Sequence, residues 1–299
     1  MRLRDETDLH VGYAACSTAD EYRKARADHD PDAVIVNYRA DLAPWWRQVA
    51  HEPGGVRWAV AHNYEPGNLV QHAQTIRSHG FDRVLALDPP LYAGTAWAEH
   101  GVDIVGRPLP PTARTVPGDG PARIGTFGFA FPHKGFVEVA REVNMTLAEG
   151  TFDLHMPEAW FNGAEGRPLY GPAILDSCRD QIDHGGRITF HHTSNHLPSP
   201  DLVDRLGKND VNILLYAPGQ PDAGLSSALD YLIAARRPAI VTDCAMFRHG
   251  LPHVAVWPAV TLRDVLNHRE QWERQATALW WAHTGRFSSD IETVLDRWA

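Results

Sequence analysis

Cysteine is scarce in this 299-residue chain, and the three present, Cys16, Cys178 and Cys244, stand far apart with no CxxC spacing. That scarcity excludes a disulfide framework and a thiolate zinc site, and fits a reducing compartment. Long apolar runs are missing as well. The opening MRLRDETDLH has no hydrophobic h-region, and no stretch of about 18 apolar residues follows anywhere. Neither a signal peptide nor stable membrane insertion is expected, and the expected location is cytoplasmic. Positive charge is in deficit: 28 Lys/Arg stand against 37 Asp/Glu, a net charge of −9. The deficit runs through both halves, with 12 against 15 in residues 1–118 and 16 against 22 in residues 119–299. Neither half therefore reads as a basic nucleic-acid-binding module, although net charge does not exclude a local basic groove. The phosphate-loop patterns GxGxxG and GxxxxGK[ST] are also absent, which removes support for a Rossmann dehydrogenase or a Walker-type NTPase.

What is present is an ordinary globular composition, 43% apolar and 22% charged, over a length that suits two domains of about 120 to 180 residues each. Short β-branched runs alternate with amphipathic stretches, the mark of parallel α/β layers. In the first half this rhythm predicts strands at His10–Ala14, Ala33–Asn37, Arg57–His62, Arg83–Leu87 and Val102–Val105. Helices are expected at Thr18–Asp28, Pro44–His51 and Gly67–His79. Pro108–Pro121 then breaks the pattern with repeated proline and glycine and reads as an interdomain linker. Beyond it, strands are expected at Ala122–Phe127, Thr151–His155, Arg187–His191, Val211–Tyr216, Ala239–Thr242 and Val254–Val256. The matching helices are Gly135–Leu147, Pro172–Asp183, Pro200–Leu206, Ser226–Ala235, Leu262–His283 and Ser288–Trp298. The expected fold is two Rossmann-like, doubly wound α/β domains facing a cleft, with ligands at the carboxyl ends of the strands. Residues 1–115 form the first domain and 122–283 the second, and a C-terminal helix in 284–299 packs back on the first.

Two stretches carry chemistry. The first is Ile124-Gly-Thr-Phe-Gly-Phe-Ala-Phe-Pro-His-Lys-Gly-Phe136. Here Gly125 and Gly128 let backbone approach a ligand, and Lys134 places a positive charge at a helix start where an anion would rest. The second is Pro221-Asp-Ala-Gly-Leu-Ser-Ser-Ala-Leu-Asp230, directly after the apolar run Val211–Tyr216. Its Gly224, Leu225, Ser226 and Ser227 form the first turn of a helix whose N–H groups and dipole favour phosphate. Asp230 lies within reach of sugar hydroxyls, and Asp222 points beyond the phosphate. Each stretch alone also has a plain structural reading, as a glycine turn with a solvated lysine and as an N-capped core helix.

Together, a Gly-rich loop with a lysine and a later D-x7-D helix start resemble the donor half of GT-B glycosyltransferases. They resemble in particular the large retaining family that includes glycogen synthases and phosphatidylinositol mannosyltransferases. That family's KG loop corresponds to Lys134-Gly135. Its E-x7-E motif corresponds to Asp222–Asp230 with Asp for Glu, and its CGTPVV step to Ala235–Val241. The strings FGFAFPHKGF and GLSSALDY are also similar to uncharacterised glycosyltransferase-like proteins of phages and bacteria. The likeness implies that Lys134 and the backbone of Leu225 and Ser226 hold a diphosphate, Asp230 the ribose and Asp222 the donor sugar. It implies that the loop from His192 frames the base, and that His62, at the end of Trp58–His62, faces the sugar. The family's arginine is replaced by Phe129, and Arg248 is the candidate substitute.

The expectation is a glycosyltransferase using a nucleotide-diphosphate sugar, UDP- or GDP-linked, without a metal. Retention follows if His62 and the donor phosphate share the acceptor's face, and inversion if Glu65 or Asp88 acts as base from the other. The acceptor is open between a glycan or protein hydroxyl and a 5-hydroxymethylpyrimidine in phage-type DNA, in a bacterial or phage-infected cytoplasm. A non-catalytic nucleotide-sugar-binding protein and a nucleotide-sugar epimerase on the same fold are the alternatives. The cluster His191–His196 is expected to be loop rather than a metal site. Trp45-Trp46 and Trp280-Trp281 are expected to pack in the core or between domains.

Overall fold

The computed structural model describes residues 14–16, 18–37, 43–61, 64, 66–87, 97–111, 115–159, 168–182, 185–217 and 224–298. The chain divides into two compact units. One comprises Met1–Pro108, Asp222–Leu225 and His283–Ala299, and the other Leu109–Pro221 and Ser226–Ala282.

The first unit holds a parallel sheet of β1 (Ala33–Asn37), β2 (Val56–Val60), β3 (Arg83–Ala86) and β4 (Val102–Ile104), in the order β1-β2-β3-β4. The helices α1 (Ala19–His29), α2 (Ala43–Val49) and α3 (Leu69–Arg77) accompany it. Strand periodicity sorts its apolar residues to two faces. Ala59, Val84 and Ala86 pack with Tyr22, Trp46 and Ile76. Trp58 and Leu85 point the other way, onto Ile291 and Val294 of the last helix. Trp46 stacks on Phe81 at 4.4 Å between ring centroids. On the second face the buried Asp103 takes Arg83 at 2.5 Å, the Trp58 indole N–H at 3.1 Å and Arg297 at 3.6 Å. The expected strand His10–Ala14 lies outside the described residues except for Ala14.

The second unit is a six-stranded parallel sheet: β5 (Arg123–Phe127), β6 (Gly150–His155), β7 (Ile188–Thr193), β8 (Val211–Leu214), β9 (Ala239–Thr242) and β10 (Ala255–Trp257). Their order, β10-β9-β8-β5-β6-β7, is the doubly wound one. The chain moves outward from β5 to β7, returns to lay β8 beside β5, and winds the other way, which places the topological switch point at the carboxyl ends of β5 and β8. The helices are α4 (Phe136–Thr146), α5 (Gly171–Gln181), α6 (Ser199–Gly207), α7 (Ser227–Ala235), α8 (Leu262–Asn267) and α9 (Arg269–His283), and α10 (Arg286–Trp298) closes the chain in the first unit. Two parallel α/β sheets with helices, Rossmann-like in both units, match the expected fold class.

Three local expectations change. The helix foreseen over Leu262–His283 is two, because His268 leaves helical geometry (φ −120°, ψ 35°) after a short α8 started by a Thr261–Asp264 capping box. The described part of the Pro-rich stretch that follows the unit boundary at Pro108 packs on the second unit: Leu109 is buried beside Leu202 and Leu206, and the Thr115 hydroxyl donates to Asp204. Trp281 is 65% exposed while Trp280 is buried with the Arg236 guanidinium 3.3 Å from its ring centroid. Adjacent helical residues point about 100° apart, and here only Trp280 falls on the buried side.

Candidate functional site

The topological switch point of the second unit is built by the segments that leave β5 and β8. After β5 the chain turns at Gly128 (φ +148°), where an added Cβ would meet only the Phe136 ring at 3.6 Å. It then makes a short 3-10 turn over Pro132–Lys134 and enters α4 at Gly135 (φ +67°). Only glycine fits there, since a Cβ would lie 1.6 Å from the Leu215 carbonyl oxygen. After β8 the chain passes Leu215, Tyr216 and Ala217, and the Ala217 N–H donates to His133 O at 2.8 Å. The two segments therefore meet backbone to backbone at the switch point. Gly125, expected to make room for a ligand, instead lies inside β5, and the space of its missing side chain is taken by Asn209 and Asn212.

Lys134 is placed at this junction. Its Nζ sits 3.8 Å from the centroid of the Tyr216 ring. Burial lowers its pKa to about 8, against a smaller opposing influence of the Cys244 thiol. Tyr216 is 2% exposed, and burial raises its phenol to about 12. The phenol oxygen lies 3.1 Å from Ser226 Oγ, immediately before α7. The Phe247 ring lies 4.7 Å from the Tyr216 ring, and the Ser226 N–H donates to Met246 O at 2.9 Å. Thus Lys134, Tyr216, Ser226 and the half-buried Cys244 form one cluster of a cation, two hydroxyls and a thiol.

The helix start differs in detail from the expectation. α7 begins at Ser227, not Gly224. The Gly224 N–H already donates to Tyr64 O at 2.8 Å within the first unit. Leu225 belongs to that same unit by its contacts, while Ser226 and Ser227 belong to the second. Asp230 is 4% exposed, with its Oδ1 3.2 Å from Nε2 of the 1% exposed His249. It is packed inside the unit rather than presented to solvent. Arg248 donates to Ala245 O at 2.8 Å inside its own 3-10 turn.

His191 and His192 are not loop residues, since β7 runs through Thr193 on the sheet edge. His192, half-buried, has its pKa lowered by burial first and then by Arg179 and Arg205. His155, one strand inward, is lowered to about 4 by burial, with Arg205 next in effect, and its Nδ1 lies 2.8 Å from Thr193 Oγ1. Among the described residues no group of three or more His, Cys, Asp or Glu is arranged to hold a metal ion. No helix among them is long and apolar enough to cross a membrane. His62, Glu65, Asp88 and Asp222 lie outside the described residues.

Sequence reasoning missed Tyr216, Cys244 and His249. Tyr216 read as the end of a buried strand and Cys244 as an isolated thiol. Only the β5–β8 adjacency reveals their neighbour Lys134, 82 and 110 positions away in the chain.

The paired α/β units have the fold of GT-B glycosyltransferases. A glycosyltransferase from Rickettsia africae superposes with a TM-score of 0.59 at 12% identity, over 99% of this chain and 86% of that one. HepE of Anabaena, solved in complex with UDP, gives 0.62 at 11% identity, over 93% and 82%. An α,α-trehalose-phosphate synthase (UDP-forming) from Burkholderia vietnamiensis gives 0.62 at 11%, over 93% and 75%. At these identities the likeness is one of fold. No protein-family model matches the chain, and no curated protein matches its sequence.

Proposed function

We propose that this chain is a nucleotide-sugar-dependent glycosyltransferase whose donor diphosphate binds at the β5–β8 switch point of the second unit. The observation that carries the reading is Lys134, a half-buried ammonium held on an aromatic face at the topological switch point, beside the start of α7. A cation that makes no ion pair with an Asp or Glu among the described residues suits an anionic ligand. Solved proteins of the same fold that bind UDP, HepE among them, support the choice of a nucleoside diphosphate and favour uridine over guanosine.

In the proposed reaction the bond between the sugar's anomeric carbon and the diphosphate oxygen breaks while an acceptor hydroxyl oxygen bonds to that carbon and passes its proton to the departing diphosphate oxygen. The negative charge left on the diphosphate is met by Lys134 and by the Ser226–Ser227 helix start. Arg248 is the candidate second cation. Asp230, oriented by His249, is assigned to the ribose, and His192 with the segment after it to the base. Residues 122–283 form the donor half in this reading and residues 1–115 the acceptor half. In the same reading His62 and Asp222 are assigned to the sugar, transfer proceeds with retention, and the acceptor is a hydroxyl-bearing glycan, protein or modified pyrimidine.

A nucleotide-sugar hydrolysis and transfer assay tests it. Release of UDP from a UDP-sugar by the wild type, lost in Lys134→Ala, is expected. Tight UDP-sugar binding with no release in any acceptor pool would replace the enzyme reading with that of a binding protein.

A further inference from the structure

The position of Lys134 depends on a residue that no step of sugar transfer requires. The Tyr216 ring lies beneath the Lys134 ammonium at 3.8 Å and is itself fixed from several sides. Phe247 packs at 4.7 Å between ring centroids, the His133 ring stands edge-on at 6.4 Å, and the phenol reaches Ser226 Oγ at 3.1 Å. One side chain therefore touches the cation of the β5 segment and the hydroxyl that precedes α7. The backbone bond from Ala217 N to His133 O, 2.8 Å long, locks the same two segments together.

The nature of the support matters. A carboxylate partner would neutralise Lys134 and would have to be displaced by an incoming anion. An aromatic face attracts the ammonium through its quadrupole while leaving the charge available. Lys134 makes no ion pair with an Asp or Glu among the described residues, and its titratable neighbours there include the Cys244 thiol and the His133 imidazole.

We propose that Tyr216 is a positioning residue for the nucleoside diphosphate. Its ring holds the Lys134 ammonium ready without neutralising it, and its hydroxyl, through Ser226, sets the start of α7 at a matching distance. This rests on the donor-site reading above. Two functions of one side chain make separable predictions. Removing the hydroxyl loosens the helix start only, whereas removing the ring withdraws the face that stabilises the ammonium.

The test is UDP affinity of the full chain by calorimetry, together with the pH profile of Lys134 acylation followed by peptide mass spectrometry. Tyr216→Phe is expected to weaken UDP binding about 3-fold, and Tyr216→Leu about 10- to 30-fold, the range of a desolvated cation–π contact. In Tyr216→Leu the acylation midpoint moves down, because the buried ammonium loses the ring face that stabilises its charge, while Tyr216→Phe keeps the wild-type midpoint. A role confined to packing would leave the midpoint of both variants unmoved. Should Tyr216→Leu not fold, a series of progressively fluorinated phenylalanines at position 216 keeps the volume and drains the ring face. A stepwise loss of affinity supports the proposal, and a flat series overturns it. A wild type that binds no nucleoside diphosphate overturns the donor-site reading itself. A wild type that binds UDP while Tyr216→Leu binds equally well overturns the role of Tyr216 alone.

Discussion

Gly135 and Leu215 meet so closely that a Cβ on Gly135 would stand 1.6 Å from the Leu215 carbonyl oxygen. The φ of +67° at Gly135 disfavours any other residue independently. Gly135→Ala is therefore expected to cost about 2–3 kcal/mol, by left-handed strain and by forcing β5 and β8 segments apart. Urea denaturation reads the loss, and UDP affinity should fall with it because Lys134 is the preceding residue. An unchanged midpoint would contradict the backbone contact.

Lys134 should be a liability for stability. Its pKa is about 8 in the folded chain against 10.5 ordinarily, so the fold disfavours the charged form. Below pH 8 the group is protonated folded and unfolded, and the whole penalty applies. Between about 8 and 10.5 the folded state binds fewer protons than the unfolded one, so stability rises with pH, and above that window the penalty is gone. Lys134→Met is thus expected to raise Tm by about 2–4 °C at pH 7, to lose that advantage as pH approaches 10.5, and to abolish UDP binding. A Tm that falls, or a gain constant across this range, would argue against a desolvated ammonium.

How much of this was legible beforehand depends on sequence range. The ten strands of the two sheets follow from runs of three to six residues bounded by turn residues, and Ala33–Asn37 and Ala239–Thr242 were placed to the residue. Lys134 was legible because a lysine before a glycine at a strand-to-helix step is a local pattern. Tyr216 was not, since a tyrosine ending an apolar run signals burial and nothing about what lies on its face. His249 was hidden for the same reason: its partner Asp230 is 19 positions back, on the other side of a strand. The break at His268 escaped because a hydrophobic pattern survives a single non-helical residue.

Asp230 and His249 form a buried pair 3.2 Å apart. Asp230→Ala and His249→Ala should each destabilise the second unit by about 1–3 kcal/mol. The double variant should lose less than the sum, by a coupling of about 0.5–3 kcal/mol in a double-mutant cycle. If His249 acts through Asp230, its removal weakens UDP binding less than removal of Asp230 does. Strict additivity of the two stability losses would separate the residues.

The cysteines offer a chemical map of the site. Cys178 is buried with its thiol pushed up to about 12, and burial also raises the half-buried Cys16. Native iodoacetamide labelling at pH 8 should therefore leave Cys178 intact, since the thiolate is the reactive form. Cys244 borders Lys134 and Tyr216, so its labelling should slow when UDP is present while that of Cys16 does not. Equal protection of both, or of neither, would place the ligand elsewhere.

The most direct test is a thermal-shift titration of the wild type and Lys134→Met with UDP, GDP and UDP-sugars. A ligand that binds only the folded state stabilises it by mass action, by about 2.7 kcal/mol at a hundredfold excess over Kd, and so raises Tm. A saturable rise with UDP in the wild type and none in Lys134→Met is the predicted result. No rise with any nucleoside diphosphate or nucleotide sugar, or an equal rise in the two proteins, would contradict a diphosphate site at Lys134.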